Sequence, residues 1–492
     1  MDTGLTSGLH TRFLRGLERS GGGVAVHVGD QALTYERLND LALRWGGALA
    51  EAGARTVGVL SGKGVTAYAG ILAGLYAGAT VVPLRPDFPA ARTAQMVEAA
   101  GIDVLVADDR GRAVAPEGVP VLGEPRASQA LSAPLVPLSD TAYVLFTSGS
   151  TGRPKGVRIG HAAVEHYFGL LDARYDFTPD DVFSQTFDLN FDCAMFDLFC
   201  AWGAGAPAVV LPPSAYRSLP EFVAARGLTV WFSTPSAIDL VRRTGGLTPD
   251  ALPGLRWSFF AGEALTVRDT AGWRAAAPAS IVENLYGPTE LTITVSGYRW
   301  DDVATPRVAV NGVVPIGAVH AGHDYVLLDG DDVEGELCIA GPQLTPGYLD
   351  PADERGRFLD RDGKRFYRTG DRVRRLAGPD LAYLGRLDSQ VQVLGWRIEL
   401  TEVEHALRGC GIQDAVALGV AGDAGTELFV FYTGGERPVL ELVRALRAVL
   451  PEGVVPRHYR HVPEFPLNAN RKIDRKSLAA RAAEILSPAP VA

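Results

Sequence analysis

A run of glycines and hydroxyl-bearing residues that ends in a lysine is the segment of this sequence best suited to chemistry. It reads Tyr143-Val-Leu-Phe-Thr147-Ser-Gly-Ser-Thr-Gly-Arg-Pro-Lys155-Gly156 and begins as an apolar strand. Glycines permit positive φ and let backbone N–H groups approach an anion closely. The hydroxyls add donors, and the lysine adds a mobile positive charge. The segment therefore predicts a polyphosphate-binding loop formed by Thr147, Ser148, Gly149, Ser150, Thr151 and Lys155.

Two other interpretations of this loop are weaker. A Walker A loop requires Ser or Thr directly after the lysine, where the hydroxyl binds Mg²⁺, and here Gly156 follows Lys155. A flexible hydrophilic hairpin is the remaining alternative, because clusters of Gly, Ser and Thr often form loops that bind no ligand.

Alternating strands and helices surround this loop and must position it. Helices are expected at Thr66–Ala77 and Ala90–Ala100. Strands are expected at Thr56–Leu60, Ala79–Pro83, Asp103–Ala107, Tyr143–Thr147, Val182–Thr186, Ala208–Leu211, Thr229–Ser233 and Trp257–Ala261. Such alternation predicts parallel sheets covered by helices on both faces, and the number of strands predicts more than one sheet.

The pattern changes twice towards the C-terminus. The stretch Val308–Tyr383 is rich in short strands and glycines, which predicts a small β-subdomain. After Asp388 two amphipathic helices, Glu402–Arg408 and Val439–Val449, alternate with strands, which predicts a compact α+β unit. We therefore expect two domains, residues 1–387 and 388–492.

Composition excludes several classes of protein. The formal net charge of -10 makes non-specific binding to nucleic acid or to an anionic membrane unfavourable. No stretch reaches the roughly 18 apolar residues that a spanning helix needs, and the N-terminus does not resemble a signal peptide. The four cysteines show no metal-binding or disulfide spacing. We expect a cytoplasmic protein without a nucleic-acid or membrane partner.

Several further motifs occur in a fixed order around the loop. They are Leu33-Thr-Tyr-Glu-Arg-Leu38, Ala77-Gly-Ala-Thr-Val-Val-Pro-Leu84, Asn284-Leu-Tyr-Gly-Pro-Thr-Glu290, Gly335-Glu-Leu-Cys-Ile-Ala-Gly341, Tyr367-Arg-Thr-Gly-Asp371, Gly385-Arg-Leu-Asp-Ser-Gln390 and Asn470-Arg-Lys-Ile-Asp-Arg475. Together with the loop they resemble the acyl-adenylate-forming superfamily, which contains acyl-CoA synthetases, luciferases and the adenylation domains of nonribosomal peptide synthetases. The resemblance covers nearly the whole chain.

The resemblance implies a fold and two cofactors. The fold would be a large α/β N-terminal domain, with two doubly wound sheets and a β-subdomain, followed by a small mobile α+β C-terminal domain that turns about a hinge at Asp388. ATP and Mg²⁺ would be required. The nucleotide-binding residues beyond the loop would be Gly262, Glu263, Ala264, Asn284, Tyr286, Gly287, Asp371, Tyr383 and Arg386.

The resemblance also assigns roles in the reaction. Thr289 would contact the α-phosphate, and Glu290 would hold Mg²⁺. Lys472 would bridge the substrate carboxylate and the α-phosphate, and Gly395 would let a phosphopantetheine arm pass close to the backbone. Without the surrounding motifs, Glu290 would be interpreted as a solvated turn residue and Lys472 as a surface lysine.

Two positions depart from the family pattern. Arg471 stands where the family usually has glycine, and Gln392 stands where peptide-synthetase domains usually have lysine. Neither change removes a predicted phosphate ligand, so adenylation remains the expected activity.

A Phe-Asp pair in the segment Gln185–Phe199 indicates the kind of acid. By resemblance such a pair binds the ammonium group of an amino acid. The pair occurs twice, as Phe187-Asp188 and Phe191-Asp192, and the residues that follow favour Asp192. Two alternatives remain: Asp192 caps a helix, or Asp188 is the ammonium partner, which would suggest a β-amino acid.

The acid-binding pocket can be assigned by the same resemblance. It would be formed by Asp192, Cys193, Phe196, Phe232, Phe259, Ala261, Leu285, Ile293, Thr294 and Lys472. Three phenylalanine rings in the pocket would leave little space, which favours alanine, glycine or serine as substrate. Alternatively, some of the rings lie in the core, where aromatic side chains are usually found.

The sequence ends soon after the Lys472 motif, so we expect a stand-alone enzyme that loads a separate carrier protein through its phosphopantetheine thiol. An aryl- or acyl-CoA synthetase is the alternative enzyme. A degenerate member that only binds nucleotide is less favoured, because Lys155, Glu290, Asp371 and Lys472 are all present.

Overall fold

A computed structural model describes residues 8–123, 129–149, 153–387, 390–422, 425–466 and 473–486. Two sheets covered by helices, a third sheet of antiparallel strands and a C-terminal α+β unit make up these residues.

The first large sheet has nine strands and carries much of the acid and nucleotide site. In spatial order its strands are β14 (Ala318–Val319), β13 (Ser296–Arg299), β12 (Ile281–Tyr286), β11 (Trp257–Phe260), β10 (Val230–Ser233), β8 (Phe183–Gln185), β9 (Ala208–Val210), β1 (Val24–Val28) and β2 (Gln31–Thr34). The central strands β12, β11, β10, β8 and β9 run parallel, with Phe232 opposite Phe259 and Phe260 opposite Asn284. Their carboxyl ends therefore lie at one edge, where open α/β sheets place their ligands.

The second large sheet has five strands and carries the glycine-rich loop. Its order is β5 (Val104–Ala107), β3 (Thr56–Leu60), β4 (Thr80–Leu84), β6 (Thr141–Thr147) and β7 (Lys155–Gly160). The first four strands are parallel and β7 is antiparallel to β6. Thr147 pairs with Lys155 across the β6–β7 hairpin, so both ends of the predicted phosphate loop are fixed by the sheet.

Helices cover both large sheets, and nearly every residue of two of them, α3 (Val65–Tyr76) and α7 (Cys193–Ala204), is buried. They are α1 (Thr11–Ser20), α2 (Tyr35–Glu51), α3 (Val65–Tyr76), α4 (Ala90–Ala100), α5 (Asp109–Val114), α6 (His161–Arg174), α7 (Cys193–Ala204), α8 (Leu219–Arg226), α9 (Ser236–Arg243), α10 (Val267–Ala276) and α11 (Thr305–Val308). Every residue of α7 is buried, which fits a helix packed between a sheet and other helices. One apolar cluster extends from α3 through α6 and α7 to β10 and β11.

The remaining elements follow the predicted β-rich and α+β pattern. The third sheet contains β15 (Asp324–Leu328), β16 (Glu334–Ala340), β18 (Lys364–Arg375) and β17 (Phe358–Arg361), with β19 (Leu381–Arg386) paired to β18. The C-terminal unit contains the hairpin β20 (Gln390–Val393) and β21 (Trp396–Glu399), the sheet β22 (Asp414–Gly422), β23 (Gly425–Thr433) and β24 (His458–His461), and the helices α12 (Leu400–Gly409), α13 (Val439–Arg447) and α14 (Arg475–Leu486).

Candidate active site

Two adjoining cavities lie at the carboxyl edge of the nine-stranded sheet. One, of about 90 Å³, contains most of the residues predicted to bind the nucleoside: Gly262, Glu263, Ala264, Asn284, Tyr286, Gly287, Asp371, Tyr383 and Arg386. The other, of about 260 Å³, contains Thr147, Ser148, Asp192, Cys193, Ala261, Ile293, Thr289 and Gly395. Gly262 and Gly287 line both cavities, so the two cavities lie next to each other.

Asp371 lies at the centre of a hydrogen-bonded group in the smaller cavity. Its two carboxylate oxygens accept hydrogen bonds from Tyr286 Oη at 2.6 Å and from Arg386 Nη1 at 2.8 Å. Each oxygen keeps a second lone pair, so the carboxylate can still accept bonds from the two hydroxyls of a ribose. Asn284 uses its side-chain amide to bond Val314 O and Pro315 O, at 3.2 and 2.9 Å, and so supports the cavity wall.

The two described ends of the glycine-rich loop, Gly149 and Arg153, lie close together. A Cβ on Gly149 would lie 2.1 Å from Arg153 O, so position 149 has space only for glycine. Lys155 is buried at the start of β7, and burial, reinforced by the charge of Arg357, lowers its pKa. Ser150 and Thr151 fall outside the described residues, as do Asp388 and Lys472.

Asp192 stands at the start of α7 and faces the larger cavity. Its side chain makes no capping hydrogen bond to the helix, and it interacts with the side chain of Thr289. Burial raises the pKa of Asp192 to about 6; the negative charge of Glu290 adds to the rise, and the bond from Thr289 opposes it. No Lys, Arg or His side chain among the described residues forms an ion pair with Asp192.

Asp188, the other aspartate of the repeated Phe-Asp pair, does have a cationic partner. It lines the same cavity, but its carboxylate is bonded to Arg85 Nη1. Of the two aspartates, only Asp192 is thus without a cationic partner in the part of the chain that the structure describes.

The predicted pocket residues divide into lining and supporting groups. Cys193, Ala261 and Ile293 line the cavity with Asp192. Phe196, Phe232 and Phe259 do not: they are at most 1% exposed and pack in the core, where Phe196 contacts the other two rings at centroid distances of 4.7 and 5.3 Å. Leu285 lines the smaller cavity, and Thr294 is buried with its hydroxyl 2.9 Å from Tyr167 Oη. The rings therefore support the pocket wall from the core.

Gln343 supports the turn that carries Ile293 and was not found from the sequence. Thr292 and Ile293 have φ of 57° and 68°, values that non-glycine residues rarely adopt. The buried amide of Gln343 donates to Leu291 O, Thr292 O and Thr294 O at 3.1, 3.2 and 2.8 Å. These three bonds hold the strained turn in place.

The β20–β21 hairpin of the C-terminal unit covers both cavities. Arg397 pairs with Glu290 at 2.8 Å, and Ser148 Oγ donates to Arg397 O at 2.7 Å. Gly395 N donates to Glu263 Oε1 at 2.8 Å. Gly395 has φ of 81°, and a Cβ there would lie 2.9 Å from Thr234 Cγ2, so glycine is required by both conformation and space.

Each carboxylate oxygen of Glu290 accepts a hydrogen bond in this arrangement. Tyr348 Oη donates to one carboxylate oxygen at 2.6 Å and Arg397 to the other. Although burial opposes ionisation, the charge of Arg397 and the hydrogen bonds hold the pKa of Glu290 at about 2. A permanently ionised, buried carboxylate is a suitable Mg²⁺ ligand, provided that Arg397 moves away. Within the described ranges, no group of three His, Cys, Asp or Glu side chains could hold a metal.

The sequence matches the family described as "AMP-binding enzyme" over residues 13–349. The chain belongs to the AMP-binding enzyme family. This confirms the family predicted from the ordered motifs.

Full-length relatives agree with this assignment. The chain is 32% identical to the L-proline–[L-prolyl-carrier protein] ligase of Streptomyces coelicolor, with 92% of each chain covered. In sequence it is 58% identical to the protein in the crystal structure of IdnL7. The match covers 98% of this chain and 99% of that chain, with a TM-score of 0.76. The Vibrio cholerae adenylation domain AlmE, solved with glycyl-adenosine-5'-phosphate, is 26% identical, with 97% and 98% covered and a TM-score of 0.84.

These structures confirm the predicted fold class, a large N-terminal α/β region with a smaller C-terminal one. The chain spans between 8% and 33% of the length of the first five curated relatives that it matches. Among the described residues of this AMP-binding enzyme, no helix is both long and apolar enough to cross a membrane.

Proposed function

We propose that this enzyme activates a small amino acid as its aminoacyl adenylate, with ATP as co-substrate and pyrophosphate as the second product. The observation that carries the proposal is Asp192, a carboxylate without a cationic partner among the described residues, in a cavity that adjoins the predicted nucleotide site. An ammonium group would complement this charge, whereas a fatty or aryl acid would leave it uncompensated.

The nucleotide would lie in the smaller cavity. Asp371, positioned by Tyr286 and Arg386, would accept hydrogen bonds from the ribose, and Tyr286 would pack against the adenine. The triphosphate would extend towards Ser148 and Thr289, which line the larger cavity, and towards the buried Lys155 at the start of β7.

Bond formation would take place between the two cavities. A carboxylate oxygen of the amino acid attacks the α-phosphorus, the new O–P bond forms, and the bond to the β-phosphate breaks with its electron pair leaving on pyrophosphate. Two anions must approach each other in this step, so positive charge is needed at the α-phosphate. Lys155, Thr289 and Lys472 would supply donors there, and Glu290 would hold Mg²⁺, which supplies electrostatic stabilisation of the phosphates.

Substrate size would be limited by the side chains opposite Asp192. Cys193, Ala261 and Ile293 line the wall, and the phenylalanine core behind them cannot easily move, since Phe232 is packed against Phe187, Phe196 and Phe259. A dense aromatic cluster makes enlargement of the pocket costly. Alanine, glycine and serine are therefore the proposed substrates.

The second step would transfer the acyl group to the phosphopantetheine thiol of a carrier protein. Two observations support this proposal: Gly395, the glycine expected beside a phosphopantetheine arm, lines the larger cavity, and the similar ligase from Streptomyces coelicolor is named for a carrier protein. The hinge at Asp388 and the boundary between residues 387 and 388 belong to the same proposal.

A substrate panel in ATP–pyrophosphate exchange tests the proposed function. Exchange is expected with alanine, glycine or serine, and not with benzoates, fatty acids or phenylalanine. A β-amino acid as best substrate would move the ammonium site to Asp188, and a preference for an aryl or fatty acid would refute an amino-acid substrate altogether.

A further inference from the structure

Three carboxylates line the larger cavity, although a simple amino acid brings only one ammonium group; one of them, Glu402, is paired with Arg92 at 2.6 Å, and the other two are aspartates. Asp188 and Asp192 are both among its lining residues. Phe191 N donates to Asp188 O at 2.9 Å, and this tight turn brings both aspartates to one wall. Their electrostatic surroundings therefore decide how many positive charges the cavity accepts.

Asp188 is neutralised by a chain of ion pairs. Arg110 bonds Asp87, Asp87 pairs with Arg85 at 3.2 Å, and Arg85 bonds Asp188, so two positive and two negative charges alternate. The guanidinium of Arg85 also lies over the ring of Phe88, 5.8 Å from its centroid. These contacts hold Arg85 against the Asp188 carboxylate.

Lys63 is the other cation that faces Asp188, but it bonds elsewhere. Its ammonium donates to Gln185 O and Thr186 O at 3.4 and 2.9 Å. It lies between Asp188 and Asp197 and interacts with both at longer range. Among the described residues, Arg85 is thus the cation that bonds Asp188 directly.

We infer that Arg85 is a specificity-determining residue, which masks Asp188 so that the cavity presents a single free carboxylate and accepts a substrate with a single ammonium group. This inference rests on the proposed activation of an amino acid. Removal of Arg85 converts the wall into one with two free carboxylates, which favours a substrate that carries a second ammonium group.

A matched pair of substrates tests this inference. 2-Aminobutyrate and 2,4-diaminobutyrate share a carbon skeleton and differ by one ammonium, so the ratio of their kcat/KM values in ATP–pyrophosphate exchange reports the second charge. Arg85→Gln is expected to raise the ratio of diamino to monoamino substrate by roughly two- to fivefold, the size typical of one partly exposed charge pair. Asp188→Asn alone leaves the Arg85 charge unmatched and is expected to lower the ratio.

The controls separate masking from a general disturbance. The double variant Arg85→Gln/Asp188→Asn is expected to return the ratio to the wild-type value. Arg110→Gln removes a positive charge from the far end of the same ion-pair chain, and is expected to leave the ratio unchanged. An unchanged ratio in Arg85→Gln, or a rise that persists in the double variant, overturns the inference.

A binding measurement keeps the inference independent of the proposed function. Thermal shift with 1,3-diaminopropane and with propylamine compares one and two ammonium groups without any reaction. The diamine is expected to stabilise Arg85→Gln more than the monoamine does, and this difference is expected to vanish in the double variant. If wild-type enzyme activates no amino acid, the proposed function fails, and equal shifts with both amines in Arg85→Gln would refute the masking role.

Discussion

Replacement of Asp192 by asparagine removes the charge to which we assign the substrate ammonium. The rise of the Asp192 pKa from its ordinary 3.8 to about 6 corresponds to about 3 kcal/mol of destabilisation of the free carboxylate. A bound ammonium would offset most of this energy, so its loss should lower kcat/KM for alanine by roughly 10²-fold or more. The measurement is alanine-dependent ATP–pyrophosphate exchange, with the KM for ATP followed alongside.

Asp188→Asn is the matched control for this prediction. It removes a carboxylate from the same cavity wall, but one that Arg85 already neutralises. Its effect on alanine exchange is expected to stay within a few-fold, and the KM for ATP should change little in either variant. A crippled Asp188→Asn together with a mild Asp192→Asn would show that the ammonium site has been assigned to the wrong carboxylate.

Four other outcomes are expected. Because the pKa of Asp192 is raised, kcat/KM for alanine should fall as the pH drops through about 6, where the carboxylate takes up a proton, and a pH profile of Asp192→Asn should lack this limb. In the exchange assay, alanine, glycine or serine should react well and phenylalanine poorly; a large amino acid as best substrate would contradict the small pocket. Arg397→Ala leaves the buried Glu290 unpaired and should destabilise the protein by about 3–5 kcal/mol in denaturant unfolding, whereas Arg408→Ala, which breaks an exposed pair, should cost about 1 kcal/mol or less. Lys472→Ala should slow adenylate formation by roughly 10²-fold and spare transfer from presynthesised aminoacyl adenylate, measured separately by pyrophosphate release and single-turnover carrier loading; equal loss in both steps would argue for a structural role.

The sheets could be predicted because their strands are short, apolar and separated by helical segments. Thr56–Leu60 and Ala90–Ala100 were predicted with the bounds that the structure shows, and the other strands predicted between Ala79 and Ala261 differ by one or two residues at their ends. Parallel strands place their carboxyl ends at one edge of a sheet, so the residues that follow β11 and β12 lie together at the edge of the nine-stranded sheet. The composition of the site was therefore accessible from local patterns.

The contacts between distant segments could not be predicted in this way. A match of Phe196, Phe232 and Phe259 to pocket positions of the family does not tell where their side chains point. The structure places all three rings in the core. Arg397 and Gln343 reach the site because segments distant in sequence fold onto it. No local motif indicates either residue.

The pairing of the site carboxylates with cations is the other feature that could not be predicted from the sequence. The repeated Phe-Asp pair offers two aspartates, of which the following residues favour Asp192, but the sequence does not show that Arg85, about a hundred residues earlier in the chain, bonds Asp188. Pairing of this kind depends on how β4 and β8 are positioned in two separate sheets.

The central claim, formation of an aminoacyl adenylate, is tested most directly by mass spectrometry of a single turnover. Enzyme, ATP, Mg²⁺ and alanine are mixed without a carrier protein, and the acid-quenched products are identified. The account predicts alanyl-AMP bound to the enzyme in an amount close to that of the active sites, with an equal amount of pyrophosphate. ADP and phosphate as products, or adenylate formed only when an aryl or fatty acid replaces the amino acid, would contradict it.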